Sequence, residues 1–466
     1  MKILSITAGA AGMYCGSCFR DNALAAELMA RGHDVHLIPV YTPTRTDEPN
    51  VSTRRVLFGG ISVYLQQHVP LFRRLPRPLD RIWDMPAVIS AFANRSVTTD
   101  PGLLGNLTIS MLQGTRGVLR REFDKLLEWT RDEPAPDVIN LPNSLLIAMA
   151  APLREAFGRP VCCTLQGEEL FVNGLPPTYR EQALALMREQ VPGVDRFIAV
   201  SEYCARFMEQ FLAIPPGRLS VVPLGINMSG YERRADVEDA AAGGDAGAGF
   251  PPPPTASARH AEARFAREGG SRPFCIGYFA RVAPEKGLHV LADAYVRFRR
   301  RAADVSARLD VAGYLAPAHE RYLADARRTL SQAGFGDEFT YHGELDRDGK
   351  VAFLRGLDVL SVPATYDEPK GMFLLEAMAS GVPVVQPRRG AFVEMVERTG
   401  GGVLVTPDDP QRLADALCDL WQDRATRRAL GDRAFHGVRA HYTVAHSADR
   451  LIGVYRDVAA RAQAVA

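Results

Sequence analysis

Short apolar runs alternate with helix-like patterns along most of this 466-residue chain, and the alternation occurs in two separate blocks. The first block opens with an apolar strand at residues 2–7, which is followed by a loop of small residues, a helix at 21–31 and a second strand at 35–40. This order of elements is typical of a doubly wound parallel sheet, so we predict an α/β fold. Further strands are predicted at 137–141, 160–165, 196–200 and 219–222 in the first block, and at 274 onward, 307–312, 339–342, 359–363 and 382–386 in the second.

The two blocks are separated by a stretch in which almost every residue is alanine, glycine or proline. Residues 240–254, AAAGGDAGAGFPPPP, contain too few large apolar side chains to form a core. We therefore predict four segments. They are an N-terminal Rossmann-like domain at 1–234, a low-complexity insertion at 235–271, a second Rossmann-like domain at 272–431 and a helical tail at 432–466.

Composition indicates a soluble globular protein and argues against several other classes. Hydrophobic residues make up 47% and charged residues 23% of the chain, and the formal net charge of +1 creates no global field toward nucleic acid. Seven cysteines without a paired secretory framework indicate a reducing compartment. No apolar run reaches the roughly 18 residues of a membrane span. We expect a cytoplasmic protein, with attachment to the inner face of the membrane as an open alternative.

Two carboxylates eight positions apart, Glu368 and Glu376, flank the most informative junction of the second block. Gly371 lies between them, and the apolar run that begins with Met372 and Phe373 predicts a helix entered at this glycine. The first N–H groups of a helix lack partners within it and lie at the positive end of its dipole. A helix start of this kind is a phosphate site, and the two carboxylates are placed to reach either side of a bound phosphate.

A second group of charged residues follows the first strand of the same block, in GYFARVAPEKGL at 277–288. Arg281 and Lys286 lie in the loop, and Gly287 opens the next helix. Two cations beside a helix start suit a diphosphate, because its negative charge grows as the bond to it breaks. The alternative interpretation is solvated charge in a turn, which is the usual fate of a single arginine or lysine.

The Glu-x7-Glu spacing, followed by AMASGVPV at 377–384, resembles the donor-binding motif of retaining glycosyltransferases of family 4, which have the GT-B fold. The resemblance implies a nucleoside-diphosphate sugar as donor, retention of anomeric configuration, and no metal or cofactor. It implies two domains facing a cleft, with the C-terminal helix packed on the first. Arg281 and Lys286 would hold the diphosphate, Glu368 the transferred sugar and Glu376 the ribose. The acceptor would be a sugar, a polyol, a polysaccharide or a lipid-linked molecule.

Shorter segments complete the predicted site. The backbone around Gly343, in YHGEL, is expected to pair with the nucleotide base, and glycines form a loop after the first strand. In TLQGEELF, at 164–171, Gln166 stands where the family commonly has a histidine, and an amide can donate to a hydroxyl but cannot shuttle a proton. The predicted catalytic residues are Arg281, Lys286, Glu368 and Gln166; the predicted donor- or substrate-binding residues are Gly12, Gly16, Glu168, Gly343, Gly371, Met372, Phe373 and Glu376.

Departures from the family pattern leave alternatives open. Ala280 stands where a glycine usually precedes the arginine, which would cost some closeness of the backbone to the ligand. The glycines at 9–16 do not have the spacing of a dinucleotide fingerprint, which argues against a nicotinamide dehydrogenase. Two alternatives remain: a non-hydrolysing sugar-nucleotide epimerase of the same fold, and a catalytically silent sugar-nucleotide binding protein.

Three further patterns suggest other chemistry. Cys15 and Cys18 form a CxxC near a helix start, but the chain has no second CxxC to complete a zinc site. Asp346 and Asp348 resemble the metal-binding DxD of the other glycosyltransferase fold, and we interpret them as a solvated turn. A basic and apolar patch at 72–83 suits either an anionic membrane or acceptor, or an ordinary surface loop.

Overall fold

The computed structural model describes residues 1–9, 15–53, 56–58, 101–231 and 272–465. The chain divides into two compact units, one made of Met1–Gly225 with Val444–Ala466 and the other of Ile226–Thr443. Each unit contains a parallel sheet of six described strands. The predicted α/β class with two doubly wound halves is therefore confirmed.

The sheet of the first unit has the strand order β2-β1-β3-β4-β5-β6. Each of its predicted strands is present within one residue of the predicted bounds, because parallel strands that are buried on both faces read as continuous apolar runs. The strands are β1 Lys2–Thr7, β2 Asp34–Pro39, β3 Val138–Leu141, β4 Val161–Leu165, β5 Arg196–Ala199 and β6 Leu219–Val221.

Helices cover both faces of this sheet, because neighbouring side chains of a strand point to opposite faces. Leu4 and Ile6 of β1 belong to one core cluster together with Phe123, whereas Ile3 belongs to a second cluster together with Leu24. The helices described between residues 15 and 211 are α1 Gly16–Ala30, α2 Pro101–Gln113, α3 Arg120–Thr130, α4 Ala150–Phe157, α5 Glu169–Asn173, α6 Pro177–Gln190 and α7 Glu202–Phe211.

The first helix begins earlier than predicted, at Gly16 instead of residue 21. Its first half buries Cys18 and three polar residues, Arg20, Asp21 and Asn22. Buried polar side chains contribute nothing to an apolar periodicity, so the sequence pattern shows only the second half of this helix.

The sheet of the second unit has the order β12-β11-β10-β7-β8-β9. The strand at Gly402–Val405 was not predicted. Its four residues are only half-buried and directly follow two glycines, so the sequence there lacks the apolar run of a buried strand. The strands are β7 Phe274–Phe279, β8 Ala307–Ala312, β9 Phe339–Tyr341, β10 Val359–Leu360, β11 Val384–Pro387 and β12 Gly402–Val405; the helices are α8 Leu288–Arg301, α9 Glu320–Gln332, α10 Arg347–Arg355, α11 Met372–Ala379, α12 Phe392–Thr399, α13 Pro410–Gln422 and α14 Arg424–His441.

The C-terminal segment is divided between the two units. α14 belongs to the second unit, whereas the last helix, α15 Val444–Val465, belongs to the first. Leu451 and Tyr455 of α15 join the core cluster of Ile3. The predicted start of the tail, residue 432, therefore falls inside α14. The sequence shows that the C-terminal residues are helical, but it does not show which of the two sheets each helix will pack against.

Two predicted features, the insertion at 235–271 and the basic and apolar patch at 72–83, lie outside the described residues. Across the parts of the chain that the structure describes, every helix is too short or too polar to span a bilayer.

Candidate active site

The strand order of the second unit brings two predicted site loops together. β7 pairs with β8 on one side and with β10 on the other, so the chain order reverses between β7 and β10. In open parallel sheets, ligands bind at such a reversal, outside the carboxyl ends of the strands. The loop after β7 contains Arg281 and Lys286, and the loop after β10 contains Glu368.

Gly287 allows these two loops to touch. Its backbone is left-handed, with φ +74°, and a β-carbon there would lie 1.9 Å from the carbonyl oxygen of Pro363. A second connection is made where the backbone N–H of Thr365 donates to the carbonyl of Glu285 at 2.9 Å. The 3-10 turn Pro284–Lys286 is thereby held against the loop after β10.

Lys286 is the centre of a polar cluster that we name the Lys286 cluster: half-buried Lys286, half-buried Tyr366 and buried Glu368. The ammonium group forms an ion pair with Glu368 Oε2 and donates to the hydroxyl of Tyr366 at 2.7 Å. The Tyr366 hydroxyl also donates to Glu368 Oε2. The ammonium lies 5.0 Å from the ring centre of Tyr366 and 5.6 Å from that of Phe373. These contacts fix one positive charge beside the start of α11.

The charge state of Glu368 follows from its partners. Burial alone would raise the pKa of this carboxyl, but the Lys286 charge and the hydrogen bonds from Lys286 and Tyr366 outweigh it and lower the pKa to about 2. Burial and the neighbouring Glu368 in turn hold the pKa of the Tyr366 hydroxyl well above its usual value. At neutral pH Glu368 is therefore a carboxylate, and Tyr366 is a neutral phenol.

The lowered pKa of Glu368 predicts an acid-sensitive contribution to stability. The ordinary pKa of 4.5 falls to about 2 in the folded protein, so ionised Glu368 stabilises the fold fully above the ordinary value. This contribution, on the order of 3 kcal/mol, is lost as the pH falls from about 4.5 through about 2. Urea denaturation of the wild type and of Glu368→Gln at about pH 6, 4 and 3 measures it. A stability difference that stays constant across this range would contradict the assignment.

The helix start predicted at Gly371 is present. Gly371 is the N-cap of α11 in a left-handed conformation, φ +68°, and Met372 and Phe373 are the first two helical residues. A β-carbon at Gly371 would lie 3.2 Å from Met395 Sδ and 3.3 Å from the Phe392 ring, which leaves little room for any other residue. α11 therefore begins directly after the loop that contains Tyr366 and Glu368, and the N–H groups of a first helical turn have no partners within the helix.

Glu376 lies one turn into the same helix and is paired with residues that the sequence did not indicate. Its Oε1 accepts from Lys350 Nζ at 2.6 Å and from the hydroxyl of Tyr231 at 3.2 Å. Lys350 belongs to α10, and its side chain is only 4% exposed. Glu376 is thus one half of a buried ion pair.

Arg281 has a different setting from Lys286. Its guanidinium forms an ion pair with Glu285, four residues later, and its side chain is 49% exposed. The backbone just before it is tightly packed even though Ala280 replaces the usual glycine, because a β-carbon at Gly313 would lie only 1.9 Å from the Ala280 carbonyl oxygen. The loops after β7 and β8 therefore pack backbone against backbone at Gly313. The effect of Ala280 on the approach to a ligand stays a prediction.

Gly343, predicted to present its backbone to a base, lies just after β9. It is left-handed with φ +73°, and its carbonyl accepts from the N–H of Gly313 at 2.8 Å. The Tyr341 hydroxyl donates to the Gly313 carbonyl at 2.8 Å, and His342 Nε2 lies 2.9 Å from Asp310 Oδ1. The loops after β8 and β9 are held side by side by these bonds.

In the first unit, Gln166 and Glu168 lie in the loop directly after β4. Glu168 uses both oxygens internally: Oε1 accepts from the N–H and hydroxyl of Ser144 at 2.9 and 2.7 Å, and Oε2 accepts from the Gln166 N–H at 2.7 Å. The Gln166 amide nitrogen donates to the Pro142 carbonyl at 2.8 Å and contacts Asp21 Oδ1 at 3.4 Å. Glu168 therefore connects the loops after β3 and β4, and its role in ligand binding stays a prediction.

The glycine loop after β1 is described at its ends, and Gly12 lies outside the described residues. Gly16 is the first residue of α1. Cys18 in the same turn is buried, and a hydrogen bond with Cys15 together with burial raises the pKa of its thiol. A raised pKa is the opposite of what an activated thiolate needs.

Asp346 has a local structural role. It is the N-cap of α10, where its side chain accepts from the N–H of Gly349 at 2.8 Å. Within the described residues there is no cluster of three or more His, Cys, Asp or Glu side chains able to hold a metal ion.

Three residues of the site were missed by sequence reasoning: Tyr366, Lys350 and Tyr231. Tyr366 is only two residues from Glu368, but a tyrosine in a loop gives no sign of the direction of its hydroxyl. Lys350 and Tyr231 lie 26 and 145 residues from Glu376. No local pattern connects such distant positions.

Comparison with known proteins agrees with this description. Two parallel-sheet Rossmann-like units are the architecture of the GT-B fold. Two family models match: "Glycosyl transferase 4-like domain" over residues 22–225 and "Glycosyl transferases group 1" over residues 261–436, which together cover more than half of the chain. The chain therefore belongs to the group 1, family 4-like glycosyltransferases, and the predicted family is confirmed.

The names of similar proteins mention different molecules. The lipopolysaccharide core biosynthesis mannosyltransferase LpsB of Rhizobium meliloti is 28% identical over 39% of this chain and 51% of its own length. The D-inositol 3-phosphate glycosyltransferase of Arthrobacter sp. is 31% identical over 34% and 37%. A GDP-mannose-dependent phosphatidylinositol monomannoside mannosyltransferase of Mycobacterium tuberculosis is 29% identical over 64% and 69%. The chain thus spans about half or less of the first two relatives.

Solved structures share the fold over nearly the whole chain. Sucrose-phosphate synthase from Thermosynechococcus elongatus has a TM-score of 0.65 at 18% identity, covering 98% of this chain and 99% of that one. Anabaena Alr3699/HepE in complex with UDP has a TM-score of 0.65 at 17% identity, covering 98% and 100%. At such identities the likeness concerns the fold alone.

Proposed function

We propose that this glycosyltransferase moves a hexose from a nucleoside-diphosphate sugar to a hydroxyl of its acceptor, with retention of anomeric configuration and without a metal ion. The observation that carries the proposal is the Lys286 cluster at the start of α11. It puts a fixed cation, an ionised carboxylate and a helix N-terminus next to one another. A sugar diphosphate has the matching groups, hydroxyls and phosphates, on neighbouring atoms.

The diphosphate would be held by Lys286, Arg281 and the N–H groups of Met372 and Phe373. Charge develops on the leaving phosphate as the sugar–phosphate bond breaks, and donors that are already fixed in place stabilise it without reorganising. Arg281 would have to exchange its Glu285 partner for phosphate, and its exposed position makes that exchange easy.

The sugar and the nucleotide would lie on opposite sides of this diphosphate site. Glu368 would accept hydrogen bonds from hydroxyls of the transferred sugar, and its low pKa keeps it an acceptor. Glu376 would accept from the ribose, and the backbone near Gly343 would contact the base. Two printed names are compatible with this donor class: one relative is called GDP-mannose-dependent, and the Anabaena structure that shares the fold contains UDP.

The acceptor side is assigned to the first unit. The amide nitrogen of Gln166 is engaged by Pro142 and Asp21, whereas its buried Oε1 has no hydrogen-bond partner among the described residues and could accept from a hydroxyl. Gln166 has no group that shuttles a proton. The acceptor would be a sugar, a polyol, a polysaccharide or a lipid-linked molecule, and peripheral contact with a membrane would accompany the last of these. The relatives' names include an inositol phosphate and a phosphatidylinositol glycolipid among such molecules.

A thermal-shift screen of UDP-, GDP- and ADP-sugars tests the donor class. We expect one nucleotide sugar to raise the melting temperature, since a ligand that binds only the folded state stabilises it. NMR of the product of that donor would then give the anomeric configuration. Conversion of the donor to an isomer without any acceptor would instead identify an epimerase.

Activity should survive metal removal. Lys286 and Arg281 supply the positive charge that a metal ion would otherwise place on the diphosphate. Turnover measured after dialysis against EDTA should match that of untreated enzyme, with added Mg²⁺ or Mn²⁺ as the control. Loss of activity that either metal restores would contradict the proposal and direct attention to Asp346 and Asp348.

A further inference from the structure

A second buried charged group, distinct from the Lys286 cluster, surrounds the carboxylate of Glu376. Lys350 Nζ at 2.6 Å and the Tyr231 hydroxyl at 3.2 Å both donate to the same oxygen, Oε1. Tyr231 is 1% exposed, and the side chains of Lys350 and Glu376 are 4% and 9% exposed. Both members of the ion pair are therefore buried, and the carboxylate is slightly more exposed than the ammonium.

We propose that Lys350 and Tyr231 are positioning residues, which orient Glu376 so that its Oε2 accepts the ribose hydroxyls of the bound nucleotide. This inference rests on the proposed function, because it takes a nucleoside-diphosphate sugar as the ligand. A carboxylate has acceptor sites on both oxygens, so two donors on Oε1 leave Oε2 for a ligand. The pair also offsets the cost of keeping the Glu376 charge buried.

Tyr231 is held firmly enough to orient its partner. It ends the segment Ile226–Tyr231, the first residues of the second unit. The Arg347 guanidinium lies 5.0 Å from the Tyr231 ring centre and donates to the Ser229 carbonyl at 2.7 Å. Arg355 donates to the Gly230 carbonyl at 2.7 Å, and Arg439 donates to the carbonyl of Tyr231 itself.

Three parts of the second unit meet at the Glu376 carboxylate: α10, the segment Ile226–Tyr231 and α11. Arg347, Arg355 and Lys350 all belong to α10, so the helix that supplies the cation also holds the segment that supplies the hydroxyl. A side chain held from two directions loses little further freedom when a ligand binds, and preorganisation of this kind increases affinity.

Calorimetry on variants of the full-length protein tests the proposal. UDP, GDP and ADP are titrated first, and the nucleotide that binds is compared with its 2′,3′-dideoxy form. We expect Tyr231→Phe to weaken binding of the ordinary nucleotide about five- to tenfold, and Lys350→Met to weaken it more. Both should bind the dideoxy form as the wild type does, because that ligand lacks the hydroxyls that Glu376 would recognise. Lys350→Arg should recover part of the affinity.

Tyr295→Phe is the matched control. Tyr295 is a buried tyrosine of the same unit, and its hydroxyl donates at 2.6 Å to Glu338, which Arg299 also contacts. Removing this hydroxyl deletes the same kind of bond away from Glu376 and should leave nucleotide affinity unchanged. In steady-state assays Tyr231→Phe should raise the donor KM and leave kcat nearly unaltered.

The outcomes separate the two proposals. If Tyr231→Phe weakens the ordinary and dideoxy nucleotides equally, or weakens neither, the positioning role is wrong while the donor assignment stands. If Lys350→Met does not fold, Tyr231→Phe alone decides. If the wild type binds none of the three nucleotides, the proposed function fails, and this inference fails with it.

Discussion

Lys286→Ala is expected to lower turnover by about 10²–10³ and to weaken nucleoside-diphosphate binding, because it removes a preorganised cation from the leaving group. Lys286 is also the ion-pair partner of buried Glu368, so the variant leaves that carboxylate without its cation. Steady-state kinetics and calorimetry with the free nucleoside diphosphate measure the two effects, and a melting curve checks the fold. Wild-type turnover in a folded Lys286→Ala protein would refute the diphosphate role.

Arg281→Ala should act in the same direction. The double variant should lose less than the sum of the single losses, since both cations act on one developing charge. Arg388→Ala is a charge-matched control, because Arg388 forms an exposed ion pair with Glu397 at 3.0 Å in the same unit. Additive losses in the double variant would show that the two cations act independently, which would contradict a shared role on one charge.

Alanine variants of Glu376 and Glu368 are expected to have different effects on nucleotide binding and on sugar transfer. Glu376→Ala should weaken free nucleotide and intact donor alike, because the ribose is present in both. Glu368→Ala should leave nucleotide affinity nearly unchanged and depress transfer, because the sugar hydroxyls are present only in the donor. Calorimetry with nucleotide and with donor on both variants distinguishes the two roles.

Two other results of these measurements would contradict the roles assigned to Glu368 and Glu376. Loss of nucleotide affinity in Glu368→Ala, with retention in Glu376→Ala, would reverse the assignments. Unchanged binding and transfer in both variants would mean that the motif is structural. The ion pairs with Lys286 and Lys350 make melting curves necessary for both variants, since each alanine removes the carboxylate that pairs with a lysine.

Much of the fold could be predicted because its signals are local. The strand at Lys2–Thr7 and the strand at Ala307–Ala312 have the predicted bounds, since buried parallel strands are short apolar runs. The start of α11 at Gly371 could be predicted for the same reason. A glycine followed directly by an apolar helical run is a signal within a few neighbouring residues, and Gly371 is left-handed in the structure.

The early half of α1 and the division of the C-terminal helices could not be predicted. Asp21 and Asn22 are polar residues buried by packing, which only the folded chain decides. α14 and α15 are separated by two residues, and the sheet against which each one packs decides its unit.

The sequence by itself determined the parallel α/β architecture, the helix start at Gly371 and the residue types of a diphosphate site, because these depend on spacings of a few residues. Only the tertiary structure decided which charges meet. Lys286 and Glu368 are 82 positions apart, and Tyr231 and Glu376 are 145 apart. The first pair meets because strand order, not chain order, sets which loops are neighbours at the carboxyl edge of a sheet. The second pair meets because α10 holds the segment that ends in Tyr231, through Arg347 and Arg355.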